Sequence, residues 1–428
     1  MREMKDSGFG YLGEIPAHWH TERIKNHLRF SPDKNPGDAT VLSLYREHGI
    51  VPKDSREDNH NVTSEDTSNY RYVRVGDFVV NKMKAWQGSM GVSAYEGIVS
   101  PAYYIYRFTT DAFDKKYLHY LLRSQCYADE FRRLSGGIRI GQWDLPKVSF
   151  ETTCLAVPPK KEQTAIAQTI DVQLSKVDTL IANGQAQIEK LKSYKQSLIT
   201  EVVTKGLDPT VPMKDSGIEW IGEIAETHTI FRLKYLLDSP MQYGANESGD
   251  KFAEDSVRYI RITDITADGK LKDDENNQYL PMPVAEGYIL KDKDVLFARS
   301  GGTVGKSFLY REEYGMSAFA GYLIKAECDQ ASLMPEYLIY YTQSSLYELW
   351  KNMIFIQATI QNIGANKYSN MEIPVPSIEE QASSVEYLGG KCSQIDRLIA
   401  IKQAKIDKLE QYKRSLIYEY VTGKREVV

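Results

Sequence analysis

Cysteine is scarce in this sequence, long apolar runs are missing, and there is no excess of base. The four cysteines, Cys126, Cys154, Cys328 and Cys392, are scattered and form no C-x-x-C pair. That spacing argues against a zinc site or a disulfide framework and fits reduced thiols. No apolar stretch approaches the length of a membrane-crossing helix, and the N-terminus lacks the apolar core of a signal peptide. A cytoplasmic location without a membrane partner is therefore expected. The formal net charge of −5 excludes a globally basic nucleic-acid binder. The acid is concentrated in residues 206–376, which hold 25 acidic against 16 basic side chains, some of them in Lys272-Asp-Asp-Glu-Asn-Asn277. Any contact with DNA must use a local surface.

Catalytic constellations are missing as well. The seven histidines show no H-E-x-x-H or other metal spacing. Val157-Pro158-Pro159-Lys160 misses the Asn/Asp-Pro-Pro-aromatic site of amino-methyltransferases at both ends, and no glycine-rich methyl-donor loop accompanies it. Pro32-Asp33 has no Glu-x-Lys at a suitable distance to suggest a nuclease core. No catalytic residue, cofactor site or metal site is expected in the chain.

Proline is absent again from Lys160 to Lys205, and here the absence leads to what is present. Apolar residues return at steps of four and three: Ile170, Leu174, Val177, Ile181, then Ile188, Leu191, Leu198 and Val202. The skipped slots are Gly184 and Lys195. A mean period of 3.5 over several heptads predicts a helix that packs lengthwise on another helix. At about 1.5 Å per residue it is a rod on the order of 65 Å long.

Its partner lies in the same chain. Ser175-Lys-Val-Asp-Thr-Leu-Ile-Ala182 reappears as Ser393-Gln-Ile-Asp-Arg-Leu-Ile-Ala400, and Lys190-Leu-Lys-Ser-Tyr-Lys-Gln-Ser-Leu-Ile199 as Lys408-Leu-Glu-Gln-Tyr-Lys-Arg-Ser-Leu-Ile417, both at an offset of 218. The seam repeats through Leu388, Cys392, Ile395, Ile399, Ile406, Leu409 and Leu416, and Lys402 and Lys413 match its two defects. The openings repeat too. Met4-Lys-Asp-Ser-Gly8 with Leu12-Gly-Glu-Ile15 returns as Met213-Lys-Asp-Ser-Gly217 with Ile221-Gly-Glu-Ile224. The chain is thus a tandem duplication of about 210 residues, each copy a globular part followed by a long helix. The expected divisions are 1–159, 160–206, 207–376 and 377–428. Between the matched frames the copies differ, which suits two readers of different targets.

The globular parts read as mixed α and β. Tyr70–Val75, Phe78–Val80 and Ile98–Phe108 look like strands, and Asp114–Leu134 and Pro335–Met353 like helices. Ser377-Ile-Glu-Glu380 reads as a capping box for the second rod. Gly206 with Pro209, and Gly423, mark the rod ends. The excess of tyrosine, 29 against 13 phenylalanines, suggests half-wet surfaces.

The doubled Lys-Asp-Ser-Gly…Gly-Glu-Ile opening resembles that of the DNA-specificity subunits of type I restriction–modification systems. So do the Pro-x-x-x-Glu-Gln helix starts (Pro158 to Gln163, Pro376 to Gln381) and the doubled Tyr-Lys-x-Ser-Leu-Ile rods. The resemblance covers essentially the full length. The first copy departs from the usual pattern with Pro159-Lys-Lys161, which touches only its cap geometry. It implies an α+β chain with two target-recognition domains, separated by two long antiparallel helices that form an intramolecular coiled coil. It further implies double-stranded DNA as ligand, with each domain reading one half of a bipartite site. Two adenine methyltransferase (modification) subunits would dock on the helices, and restriction/translocase subunits would join through them. S-adenosylmethionine, ATP and Mg would belong to those partners. The competing reading is a coiled-coil scaffold with two duplicated ligand domains and no DNA role.

The residues support a reader on their own chemistry. Arginine or lysine suits guanine and asparagine or glutamine suits adenine. Gln357, Thr359, Gln361 and Asn362 crowd one loop of the second copy, and Arg139 and Gln142 lie in the matching loop of the first. Asp294-Val-Leu-Phe-Ala-Arg-Ser-Gly-Gly-Thr-Val-Gly-Lys-Ser307 contains Gly-Lys-Ser, but a nucleotide-binding loop needs glycine where Ser300 stands. A tight turn offering Arg299, Ser300 and Lys306 to phosphate is the expectation instead. At the equivalent place, Asn81-Lys-Met-Lys-Ala-Trp-Gln87 offers Lys82, Lys84 and Gln87, with Trp86 expected in the core.

Overall fold

The computed structural model describes residues 2–37, 39–45, 49–55, 63–64, 66–137, 143–266, 269–272, 274–356 and 361–427. The chain forms two compact units, Met1–Gln185 with Gln403–Val428, and Ala186–Lys402. Each unit contains one globular part, the start of the long helix that follows it, and the end of the other long helix.

The long helices run over Lys160–Lys205 and Ile378–Val421. Heptad spacing and the lack of interior proline permit that length, and Gly206 (φ +74°) and Gly423 (φ +71°) take the left-handed conformation that ends each rod. Within each unit the two helix portions pair antiparallel, and the seam positions are buried or half-buried. Ile170, Val177, Ile188, Val202, Leu388, Ile395, Ile406 and Leu416 are buried.

The seam defects have distinct causes. A Cβ on Gly184 would stand 3.1 Å from Ile406 Cγ1, so glycine there allows close approach. Lys402 donates to Gln187 Oε1 at 2.6 Å. The remaining two lysines make a reciprocal pair. Lys195 bonds Asp396 at 2.7 Å in one unit, and Lys413 bonds Asp178 in the other. The lysine of each Tyr-Lys-x-Ser-Leu-Ile motif therefore meets the aspartate of the other copy's Ser-x-x-Asp motif, which accounts for both repeats.

The repeated opening is a small hairpin in each copy, Met4–Asp6 with Glu14–Pro16 and Met213–Asp215 with Glu223–Ala225. Asp6 Oδ1 accepts the Gly8 N–H and Asp215 Oδ1 the Gly217 N–H, both at 2.9 Å. The carboxylate mimics a backbone acceptor in a turn that the following glycine completes. The Pro-x-x-x-Glu-Gln motif is also structural. Gln163, buried, donates to the carbonyls of Ala112 and Pro158 and accepts from Asp114 N–H. Gln381 does the same with Ser332, Pro376 and Met334. The capping box is half formed: the Glu380 N–H donates to Ser377 Oγ at 3.3 Å, but the Glu380 side chain turns to His228 and Thr227.

Between these frames both copies build the same four-stranded antiparallel sheet. Its order is Leu28–Phe30, Tyr103–Phe108, Phe78–Asn81, Met90–Val92 in one unit. In the other it is Gln242–Tyr243, Leu323–Ala326, Val295–Ala298, Ser307–Leu309. The region read as Asp114–Leu134 is two helices, Lys115–Arg123 and Gln125–Leu134, broken at extended Ser124. Its counterpart is Pro335–Tyr341 and Ser345–Ile356. The copies diverge in the flanking strands. A two-stranded pair, Arg71–Val73 with Gly97–Val99, serves one unit, and a three-stranded sheet around Ser256–Ile260 serves the other.

The core of one unit collects Trp19, Tyr117, Tyr127, Phe131 and Phe150 around Ile166 and Ile170 of the first long helix and Leu416 and Val421 of the second. The other collects Tyr337, Tyr341 and Tyr347 around Leu198 and Val202 of the first helix and Leu388 and Ile395 of the second. Most of the 29 tyrosines are half-buried or exposed, and several buried ones have hydroxyls satisfied by backbone carbonyls. Tyr117 Oη donates to Ala156 and Val421, and Tyr337 Oη to Pro374 and Val203. No helix among the described residues is long and apolar enough to cross a membrane.

Candidate nucleic-acid interface

In the second copy, strand Val295–Ala298 leaves the sheet at Arg299 and returns as Ser307–Leu309. The excursion is a closed turn. Ala298 N–H donates to the Lys306 carbonyl at 2.8 Å, Gly305 N–H to that of Ala298 at 2.9 Å, and Lys306 N–H to that of Thr303 at 3.0 Å. Gly301 and Gly305 have φ near +80°, which only glycine adopts cheaply. A strand follows Lys306 where a phosphate loop would open a helix, so the turn is not of that kind. Lys306 is exposed, and Ser300 is half-buried and bridged to Asn362.

That bridge joins two stretches that lie far apart in sequence. Ile363 N–H donates to the Arg299 carbonyl at 2.8 Å, and buried Ile363 anchors the end of the polar loop. Gln361 and Asn362 are exposed beside it. Gln357 and Thr359 lie outside the described residues.

The first copy closes in the same way. Leu145 N–H donates to the Lys82 carbonyl at 2.9 Å, with Leu145 buried as Ile363 is. Lys82 N–H donates to Ala102, as Arg299 N–H does to Tyr322. Lys84 is exposed and Gln87 half-buried in the turn capped by Gly88. Arg139 and Gln142 lie outside the described residues. Lys82 is committed within the chain, its Nζ 2.9 Å from Asp144 Oδ2. Trp86 is not in the core: it is half-buried, donates Nε1–H to the Met83 carbonyl at 3.2 Å, and packs on Trp143 at 5.4 Å between centroids. Arg132 lies over Trp143 at 5.7 Å.

Sequence reasoning missed the aromatic neighbours of both turns. Tyr243 lies under the Arg299 guanidinium at 5.0 Å, and its hydroxyl accepts the Ala365 N–H at 2.9 Å. No local signal links residues so far apart in the chain. Elsewhere, polar groups are locked in ion pairs. Arg107 and Arg74 flank Asp33, and the hydrogen bond from Arg107 leads in holding its carboxyl below the usual range. The four cysteines are buried, and burial pushes the Cys328 thiol up to about 12. Among the described residues no cluster of His, Cys, Asp and Glu could hold a metal.

Two matched turn-and-loop heads, each carried on a sheet beside paired long helices, define a duplicated architecture. Residues 226–411 match the family described as "Type I restriction modification DNA specificity domain". The chain is 25% identical to the type I restriction enzyme MjaVIII specificity subunit of Methanocaldococcus jannaschii, over 96% of this chain and 94% of that one. It is 24% identical to the EcoKI specificity subunit of Escherichia coli over 69% of this chain and 63% of that one. A solved structure described by "complex assembly" and "conformational transition of the type I R-M system" aligns with a TM-score of 0.69 at 14% identity, covering 95% of this chain and 98% of that one. Over nearly its whole length the chain is similar to type I restriction–modification specificity subunits, and its residues 226–411 match their specificity domain.

Proposed function

We propose that the chain reads double-stranded DNA for a type I restriction–modification complex, each globular part taking one half of a bipartite target. The observation that carries this reading is the shared head. The same backbone bond (Lys82 with Leu145, Arg299 with Ile363) closes a turn against a loop in both copies, while the side chains displayed there differ. A common frame with unlike surfaces is what two half-site readers require. The names of the relatives do not favour the DNA-free scaffold.

The chain supplies recognition, and methyl transfer belongs to modification subunits that carry S-adenosylmethionine, with ATP and Mg used by a restriction subunit. The long helices offer those modification subunits two equivalent surfaces. Beside the Lys413–Asp178 pair, Leu180 and Tyr412 are exposed, and beside Lys195–Asp396, so are Tyr194 and Leu398. Large apolar side chains left in water at repeated positions suit two copies of one partner. The test is to map methylated adenines on plasmid DNA. The chain with its modification subunits should mark one bipartite sequence, and the rigorously purified chain none. Methylation by the chain alone, or without sequence dependence in the complex, would contradict the proposal.

A further inference from the structure

The position that follows the central sheet strand carries a cation in both copies, but its circumstances differ. In the first copy, Lys82 is neutralised by Asp144. In the second, Arg299 has no carboxylate partner among the described residues, although its globular part is rich in acid. Among the described residues its Nε is buried without a partner, and its one polar side-chain contact is a long one, Nη1 to the Gly321 carbonyl at 3.5 Å.

The guanidinium is nevertheless held in place. Its backbone is tied on both sides, N–H to Tyr322 and carbonyl to Ile363. The Tyr243 ring supports its face at 5.0 Å, and the same tyrosine grips the end of the polar loop through Ala365 N–H. A charged group that is oriented, stacked and not neutralised suits an acceptor from outside the chain. A planar fork fixed by an aromatic ring matches the paired acceptors O6 and N7 of guanine.

We propose that Arg299 reads a guanine in the half-site taken by the second copy, and that Tyr243 is its positioning residue. This rests on the DNA-reading function above and assigns Arg299 to a base rather than to phosphate. It also leaves Lys82 without a base to read in the other half.

The test is selection from a pool of double-stranded oligonucleotides of randomised sequence, using the full chain assembled with its modification subunits. The wild-type motif should contain a G·C pair in one half whose preference falls about fivefold or more in Arg299→Lys, which keeps the charge and loses the fork. Tyr243→Leu should relax the same pair, and Tyr243→Phe, which keeps the ring, should retain it. Lys82→Ala should change no base preference. The untouched half-site reports in each variant that the protein is folded. If Arg299→Lys instead weakens binding to every sequence alike, Arg299 contacts phosphate and the inference fails. If Arg299→Lys relaxes the pair but Tyr243→Leu does not, the role given to Tyr243 fails. If wild type enriches no sequence at all, the DNA-reading function fails with it.

Discussion

Gln163 and Gln381 are buried amides that each satisfy three backbone groups, joining a helix start to the preceding strand and to the start of a neighbouring helix. Removing the amide strands those groups without water. Gln381→Ala should therefore cost roughly 1–3 kcal/mol or more, read as a lower midpoint in denaturant unfolding. A change within about 0.5 kcal/mol would show that the motif is not structural. A second residue-scale contrast separates the copies. Trp19 donates Nε1–H to Glu162 at 3.2 Å, and in the other copy His228, fully buried, meets Glu380 at 3.2 Å. Burial is the leading cause that pulls the His228 imidazole below its ordinary value, with Lys214 adding to it and Glu380 opposing. An unfolded histidine takes a proton as pH falls through about 6.5, whereas the folded one does so only lower. Stability should accordingly decline as pH drops below about 6.5, because the unfolded state binds more protons there. Denaturant midpoints measured from pH 7 to 5 should fall less steeply in His228→Gln than in wild type, and parallel slopes would refute this.

Among the elements, the long helices carry the clearest sequence signal. Removing 185–191 and 403–409 takes one heptad from each and keeps both seams in phase. Each helix shortens by roughly 10 Å, about three base pairs at 3.4 Å each. If the helices act as the ruler, whatever methylation survives should prefer a target with a shorter unread spacer, read by mapping modified sites. An unchanged spacer in a folded, active protein would rule the ruler out. The helices were legible because a heptad seam, proline at the start and glycine at the end are local and redundant signals. Their polar defects were legible as positions but not as causes, since Lys195–Asp396 and Lys413–Asp178 pair residues more than 200 apart. The break at Ser124 is hidden in the sequence because the apolar period continues across it through Leu121, Leu122 and Cys126. The half-buried place of Trp86 is not legible because hydrophobicity alone does not reveal that Trp143 and Arg132 complete its environment. The turns were visible from their glycines, but the platform under Arg299 was not, for Tyr243 reaches it only through sheet pairing.

At the scale of the whole molecule, duplication explains why each unit is built from both long helices. Tyr117 bonds the carbonyl of Val421, and Tyr337 bonds that of Val203, so each globular part closes over the end of the other copy's helix. The frames are fixed by these exchanged contacts, while the sheets they enclose are free to diverge in what they display. On the proposed function, each globular part is a separable reader of one half-site. The most direct test replaces residues 20–157 with the corresponding part of a relative of different specificity, keeps both long helices, and maps the methylated sequence of the complex. One half of the bipartite target should change while the other half stays as it was. A change in both halves, or in neither, from a folded and active protein would contradict it.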